Sequence, residues 1–239
     1  MKKYIFATLL GLVALTMTSC DDGRIYEKSI AYKEGRVVKL TGTLTGLANW
    51  TDEYSVAIAG FDGTDDYAVI SKAIPKSTDG QISIVLSGIN DEVTSVQLCV
   101  LDRLRRVVMS FRDMELQQTR DTMYLDAGTV DVSMLNAIQQ AYFNTTCANC
   151  HGASNRAAAG LYLTEGRSYG ALVGKPSTKV EGINIVEPGS TSNSLLHVIL
   201  HQEAVEGISM THRDLVSEQN EQKILPLIDS WINNGAKDN

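Results

Sequence analysis

Five consecutive residues carry the most specific chemistry in this sequence: Cys147-Ala148-Asn149-Cys150-His151. Two thiols three positions apart at the end of a helix can each reach one vinyl group of a porphyrin and form a thioether. The imidazole that follows the second cysteine then lies under the iron and binds it axially. The C-x-x-C-H spacing therefore predicts one covalently bound haem c, held by Cys147, Cys150 and His151.

Two other interpretations of the cysteines remain open. His197 and His201 are four positions apart and share a face if their segment is helical. With Cys147 and Cys150 they offer two thiols and two imidazoles, a donor set that suits tetrahedral zinc. In an exported protein the two cysteines can also close a small disulfide loop. Haem is favoured over zinc because the zinc site would need a long spacer and would leave His151 without a role.

The elements that must position these residues are helical. Leu135, Ile138 and Tyr142 recur at helical spacing and predict a helix that begins near Ser133. Residues 194–201 predict a second, short helix. Near the C-terminus an apolar stripe predicts a closing helix. The stripe comprises Ile224, Leu227, Ile228, Trp231 and Ile232.

Residues that typically begin, end or interrupt helices indicate the limits of the closing helix. Ser217 suits its N-cap, Gly235 suits the position after its end, and Pro226 predicts a kink or a later start. Three helices and little strand in residues 133–239 make a thin core. We therefore expect the haem itself to fill the centre of this region.

Residues 133–239 resemble a class I mono-haem cytochrome c, of the planctomycete-type modules found in exported multidomain proteins. The resemblance implies a separate all-α cytochrome c domain. The resemblance rests on four features that occur in the family's order. They are Cys147 to Gly152; Gly160-Leu161-Tyr162-Leu163; Pro188-Gly189 with Ser194-Leu195-Leu196; and Met210 ahead of a closing helix that ends Trp231-Ile232-Asn233-Asn234-Gly235-Ala236.

The same resemblance places Met210 as the sixth iron ligand. The family usually has prolines directly after this methionine, whereas here Thr211-His212 follows, so His212 is the alternative ligand. An iron with two axial ligands has no open position, so one-electron transfer to unidentified redox partner proteins is the expected function. We do not expect an enzyme, and peroxidase-like activity would require an open sixth position.

Residues 30–130 have a different pattern of apolar and polar residues. Short, mostly β-branched segments alternate in polarity and are separated by turns such as Asp62-Gly63. They predict an antiparallel β-sandwich, Ig-like or fibronectin-like, as a second domain. Cys99 falls inside one strand and is expected to be a small core hydrophobe. The seven predicted strands are 36–43, 54–60, 67–73, 81–87, 94–101, 105–112 and 122–126.

This β module supports an alternative function. In it, a surface lipoprotein binds a glycan or a protein through the sandwich, and the haem region is a redox tether or sensor. Trp50 and Tyr54 are the best aromatic candidates for a sugar platform, although packing in the core or in a loop is the more common role of such residues.

The N-terminus predicts export. Lys2 and Lys3 precede an apolar run that is too short for a membrane span, and the segment ends Ser19-Cys20. This pattern resembles the lipobox of bacterial lipoproteins, which implies a signal peptide over 1–19 and lipid on Cys20. Residues 20–29 would form an acidic tether, so the protein is expected at the outer membrane, on its periplasmic face or at the cell surface.

Composition excludes some functions. The chain has 239 residues, with 21 Lys and Arg against 28 Asp and Glu, so its net charge is −7. No basic patch is present, and a nucleic-acid partner is therefore not expected. Four cysteines are too few for a disulfide scaffold. The region 133–239 is itself acidic and lacks a lysine-rich docking face.

Overall fold

The fold is described by a computed structural model that covers residues 35–77, 80–152 and 157–238. The predicted signal peptide, Cys20 and the acidic tether lie outside these residues. Two β-sheets come first in the chain and helices follow. The strands are β1 (Arg36–Thr45), β2 (Tyr54–Phe61), β3 (Ile70–Ala73), β4 (Gly80–Ile89), β5 (Ser95–Asp102), β6 (Val107–Glu115) and β7 (Met123–Asp131).

All seven predicted strands are present, with ends shifted by a few residues. β1 shows why the strand prediction succeeds: apolar and polar side chains alternate along it. Val38 and Leu40 are fully buried, while Lys39 and Thr41 are partly exposed. The first sheet has the order β4-β1-β7 and the second β3-β2-β5-β6. β1 pairs with β4 in the antiparallel direction but with β7 in parallel, so the sandwich is not purely antiparallel as predicted.

The helical part begins directly after β7. The helices are α1 (Met134–Ile138), α2 (Ala148–His151), α3 (Ser168–Leu172), α4 (Leu195–His201) and α5 (Glu218–Asn233). A π-helical segment, Gln139–Cys147, joins α1 to α2, and short 3₁₀ turns lie at Ala158–Gly160 and Arg213–Leu215. No helix in the described part of the chain has the length and apolar character that a membrane crossing requires.

Local capping rules are confirmed. The Ser133 hydroxyl accepts a hydrogen bond from the Asn136 N–H at 3.3 Å, and the Ser217 hydroxyl accepts one from the Asn220 N–H at 3.2 Å. Gly235 follows α5 with φ of 92°, a conformation that glycine adopts without strain. Pro226 lies inside α5, which begins at Glu218, so the predicted later start of this helix is wrong.

The helix tolerates this proline because a side chain from the β module replaces the missing bond. Pro226 has no N–H to donate to the carbonyl of Gln222, four positions earlier. Arg106 Nη2 donates to that carbonyl oxygen at 2.9 Å, and Arg106 Nη1 donates to the Gln222 side chain at 3.1 Å. The exposed backbone acceptor is thus satisfied across the boundary between strands and helices.

The predicted fold class is wrong in its second half. The molecule is mostly β, with seven strands in two sheets and only 26% helix, and the described residues contain no all-α cytochrome c domain. Residues 34–239 form one compact unit. One hydrophobic cluster runs from Leu40 and Ile58 in the sheets to Ile138 and Trp231 in the helices.

The physical reason is that the helices have an apolar partner other than haem. Their buried faces belong to the same cluster as the inner faces of the sheets, so the predicted thin core does not exist. Polar contacts reinforce the junction: Trp50 Nε1 donates to the Val132 carbonyl at 2.7 Å, and Asn234 Nδ2 donates to the Asn49 carbonyl at 2.7 Å.

Candidate functional site

The two cysteines and the histidine of the C-x-x-C-H motif lie at the end of one continuous helical segment. Cys147 is the last residue of the π-helical stretch, and Cys150 and His151 lie in α2. π-helical turns inside α-helices are often found at functional sites. Gly152 ends α2 where the backbone is so close to Ala148 that a Cβ would collide with its carbonyl oxygen. Glycine is therefore required directly after the histidine.

The two thiols differ in environment. Cys147 is partly buried and packs against the hydrophobic cluster, while Cys150 is exposed. Burial raises the pKa of the Cys147 thiol to about 12, and the neighbouring Cys150 adds to the shift. Both are free thiols, so the disulfide interpretation has no support in the described residues. Cys99 is fully buried in its strand, as predicted for a small core residue.

His151 is oriented by the backbone. Its Nδ1 lies 3.1 Å from the carbonyl oxygen of Ala158, and since a carbonyl only accepts, Nδ1 must carry the proton. In the neutral ring the lone pair is then on Nε2. Burial lowers the pKa of His151, and a positive charge on His212 would lower it further, although hydrogen bonds to the backbone of Ala158 and of Leu161 oppose both effects. The neutral imidazole that metal binding requires is thus the favoured form.

His212 faces His151. The centroids of the two rings are 6.3 Å apart and their planes are inclined by 21°. His212 Nδ1 lies 3.0 Å from the Met210 carbonyl oxygen, so its lone pair is also on Nε2. Met210 itself, the residue predicted as sixth ligand, has 45% of its surface exposed. The described contacts therefore bring His212, the alternative ligand, to the predicted axial histidine.

A buried polar network holds the cysteine-bearing segment to the loop that follows it. Gln139 is buried, and its Nε2 donates to the Leu163 carbonyl at 3.1 Å and to Asn144 Oδ1 at 2.6 Å. Its Oε1 accepts a hydrogen bond from the hydroxyl of Ser168 at the start of α3. The Leu163 N–H in turn donates to the His151 carbonyl at 2.8 Å. Gln139 is a site residue that the sequence does not reveal, because nothing in its local pattern signals burial.

The zinc set of two cysteines and two histidines is not assembled. In the described residues His197 and His201 form a cluster with Asp229, and neither cysteine belongs to it. Asp229 was missed at the level of sequence because it lies on a different helix, 28 residues after His201. The His-x-x-x-His spacing is the one signal that pointed to this place.

The aromatic pair proposed as a sugar platform lies in the core. Trp50 is 4% exposed and Tyr54 is 8% exposed, and their rings meet edge to face with centroids 6.0 Å apart. Neither ring offers a face to solvent on which a sugar could stack. The glycan-binding alternative therefore loses its two named residues.

Comparison of the chain with protein-family models, with curated proteins and with solved structures finds no match.

We predict that Gln139→Ala destabilises the protein by about 1–3 kcal/mol, because the buried Leu163 carbonyl and Ser168 hydroxyl lose their partner. Urea unfolding monitored by circular dichroism measures the change. Gln140→Ala is the matched control: it is the exposed neighbour in the same segment and should change stability by less than about 0.5 kcal/mol. Equal effects of the two variants would contradict a structural role for the network.

Proposed function

We propose that this chain is a membrane-tethered carrier of single electrons that holds one haem c covalently. The observation that carries the proposal is the C-x-x-C-H motif, whose histidine donates its Nδ1 proton to a backbone carbonyl, so that in the neutral ring the lone pair is on Nε2. When bound, the haem would supply a one-electron iron couple. The proposal rests on this local geometry and not on a cytochrome c fold.

The residues of the motif suit such a group. Cys147 and Cys150 are both free, and they would provide the two covalent links. His151 would be the axial ligand, with the Ala158 carbonyl fixing its tautomer and ring orientation, as outer partners of metal-bound histidines commonly do. The Gln139 network would hold the segment in place.

Met210 and His212 are the two candidates for the second iron ligand, and we favour His212 because its ring lies beside that of His151. The His151 and His212 rings lie 6.3 Å apart and are nearly parallel, so His212 is the second histidine near the motif and would be able to provide the other ligand. Two imidazoles would give a lower reduction potential than the pair of histidine and Met210.

The charge composition of residues 133–239 does not favour acidic partners. From Ser133 to the C-terminus the sequence contains 7 basic and 10 acidic residues, a net charge of −3 before the haem propionates are counted. A partner with a basic or neutral docking face is therefore favoured on electrostatic grounds.

We predict that haem stays on the protein band in a denaturing gel and that Cys147→Ala/Cys150→Ala abolishes the haem stain. Because the core is apolar without haem, the double variant should keep its far-UV circular dichroism. The Cys99→Ala variant, which changes a buried cysteine outside the motif, should keep the stain. A folded wild type without stain, made in cells with working cytochrome maturation, would refute covalent attachment.

We predict a low-spin spectrum that lacks the weak far-red band of sulfur-to-iron charge transfer. His212→Ala should convert the iron to high spin, whereas Met210→Ala should leave the spectrum and the potential almost unchanged. Glu206→Gln, a variant of an exposed residue in the loop between α4 and Met210, controls for general effects. If Met210→Ala removes a far-red band instead, Met210 is the ligand. A high-spin wild type would contradict the electron-carrier function.

The membrane tether is proposed from Cys20, which lies outside the described residues. We predict that Cys20→Ala moves the protein from the membrane fraction to the soluble fraction, because the lipid is the proposed anchor. Cell fractionation with immunoblotting measures the distribution, and Cys99→Ala is the control. Membrane retention of the Cys20→Ala protein after a high-salt wash would contradict lipid anchoring at this residue.

A further inference from the structure

A second cluster of ligand-type side chains lies between α4 and α5. His197 and His201 are one helical turn apart on α4, and Asp229 projects from α5. Each of the three offers one possible ligand atom, and these atoms lie within 4.8 Å of one another. The cluster shares no residue with the proposed haem site.

Hydrogen bonding leaves two acceptors facing each other in this cluster. His201 Nδ1 lies 2.8 Å from the His197 carbonyl oxygen, so Nδ1 carries the proton and the lone pair of the neutral ring is on Nε2. That Nε2 lies 3.5 Å from Asp229 Oδ2. A lone pair and a carboxylate oxygen repel unless a cation, a proton or a metal ion, lies between them.

His197 completes the donor set. Its Nδ1 lies 2.7 Å from Asp229 Oδ1, and its ring centroid is 4.0 Å from that of His201. Ligand bonds of about 2 Å to a tetrahedral zinc ion place neighbouring ligand atoms about 3.3 Å apart. The two nitrogens lie 2.7 and 3.5 Å from different oxygens of the carboxylate, so a metal ion would replace the proton on His197 Nδ1 and side-chain rotations would bring one atom of each residue to it.

The cluster opens on an acidic cleft. His201 and Asp229 line a cleft of about 830 Å³ together with Glu53, Glu221 and Arg213. Arg213 Nη2 is paired with Glu221 at 2.6 Å, so it does not balance the charges of Glu53 and Asp229, and Asp229 is left negative when His197 and His201 are neutral. A cation is attracted to such a cleft, and an ion held by the cluster would keep a coordination position open to solvent.

We propose that His197, His201 and Asp229 bind a divalent transition-metal ion, with Zn²⁺ as the best match to two imidazoles and one carboxylate. Imidazole donors favour zinc over magnesium and calcium, which prefer oxygen ligands alone. The bound ion connects α4 to α5 and exposes one coordination position to the cleft. Binding of this ion does not require the haem.

The experiment measures zinc in the full-length protein. Purified protein is dialysed against ZnCl₂, and zinc and iron are determined together by atomic emission. We expect one zinc ion per chain in addition to haem iron, and none from MgCl₂ under the same conditions. His201→Gln and Asp229→Asn should each weaken zinc affinity more than about 100-fold, since even a lost outer partner of a ligand costs roughly 10- to 100-fold.

Two controls separate this site from its rivals. Glu206→Gln alters an exposed acid just after α4 and should bind zinc like the wild type. In the Cys147→Ala/Cys150→Ala background, binding should persist and should still be lost on adding His201→Gln. Zinc that disappears with the cysteines alone would assign the metal to the thiols and overturn the proposal.

The urea unfolding midpoint distinguishes a variant that has lost zinc binding from one that has misfolded. Zinc should raise the urea midpoint of the wild type and of Glu206→Gln but not that of Asp229→Asn, which keeps the shape of the side chain. Cobalt bound in place of zinc should give the visible absorption of a four-coordinate ion. No zinc above the level of the His201→Gln variant would overturn the proposal and leave a proton as the cation between His201 and Asp229.

Discussion

The packing of α5 into one apolar core is the constraint on which the rest of the structure depends. Leu227, Ile228 and Trp231 are buried in the cluster that also contains the inner faces of both sheets. Burial of large apolar side chains is the dominant favourable contribution to folding, so strands and helices are stabilised together. The opposite face of α5 carries Asp229, which meets the histidines of α4. The helix thus joins the core to a candidate metal site.

A second requirement is that backbone carbonyl groups without a partner in their own helix or loop accept a hydrogen bond from a side chain elsewhere in the chain. Pro226 is compatible with α5 because Arg106, just before β6, donates to the carbonyl that the proline cannot reach. Gln139 has the same role near the cysteines, where it saturates the Leu163 carbonyl. In both places a long polar side chain removes the cost of an unpaired buried or helical acceptor.

The four histidines follow a common rule. His151, His201 and His212 each place Nδ1 against a backbone carbonyl, and His197 places it against the Asp229 carboxylate. A carbonyl at Nδ1 selects the tautomer whose Nε2 is a lone pair, which is the form that binds a metal ion. This feature supports the proposed haem site and the His201 ligand of the proposed zinc site, whereas His197 would bind zinc only after its Nδ1 has lost the proton that Asp229 accepts.

Local features of this protein follow from sequence alone. The seven strands, the start of α1 near Ser133, the N-cap at Ser217, the glycine after α5 and the C-x-x-C-H motif depend on side-chain period, capping chemistry and spacing over a few residues. The parallel pairing of β1 with β7, the meeting of Asp229 with His197 and the single shared core were decided by tertiary structure. Each of these joins segments that are far apart in the chain, and the side-chain period records that a face is apolar but not which other face will cover it.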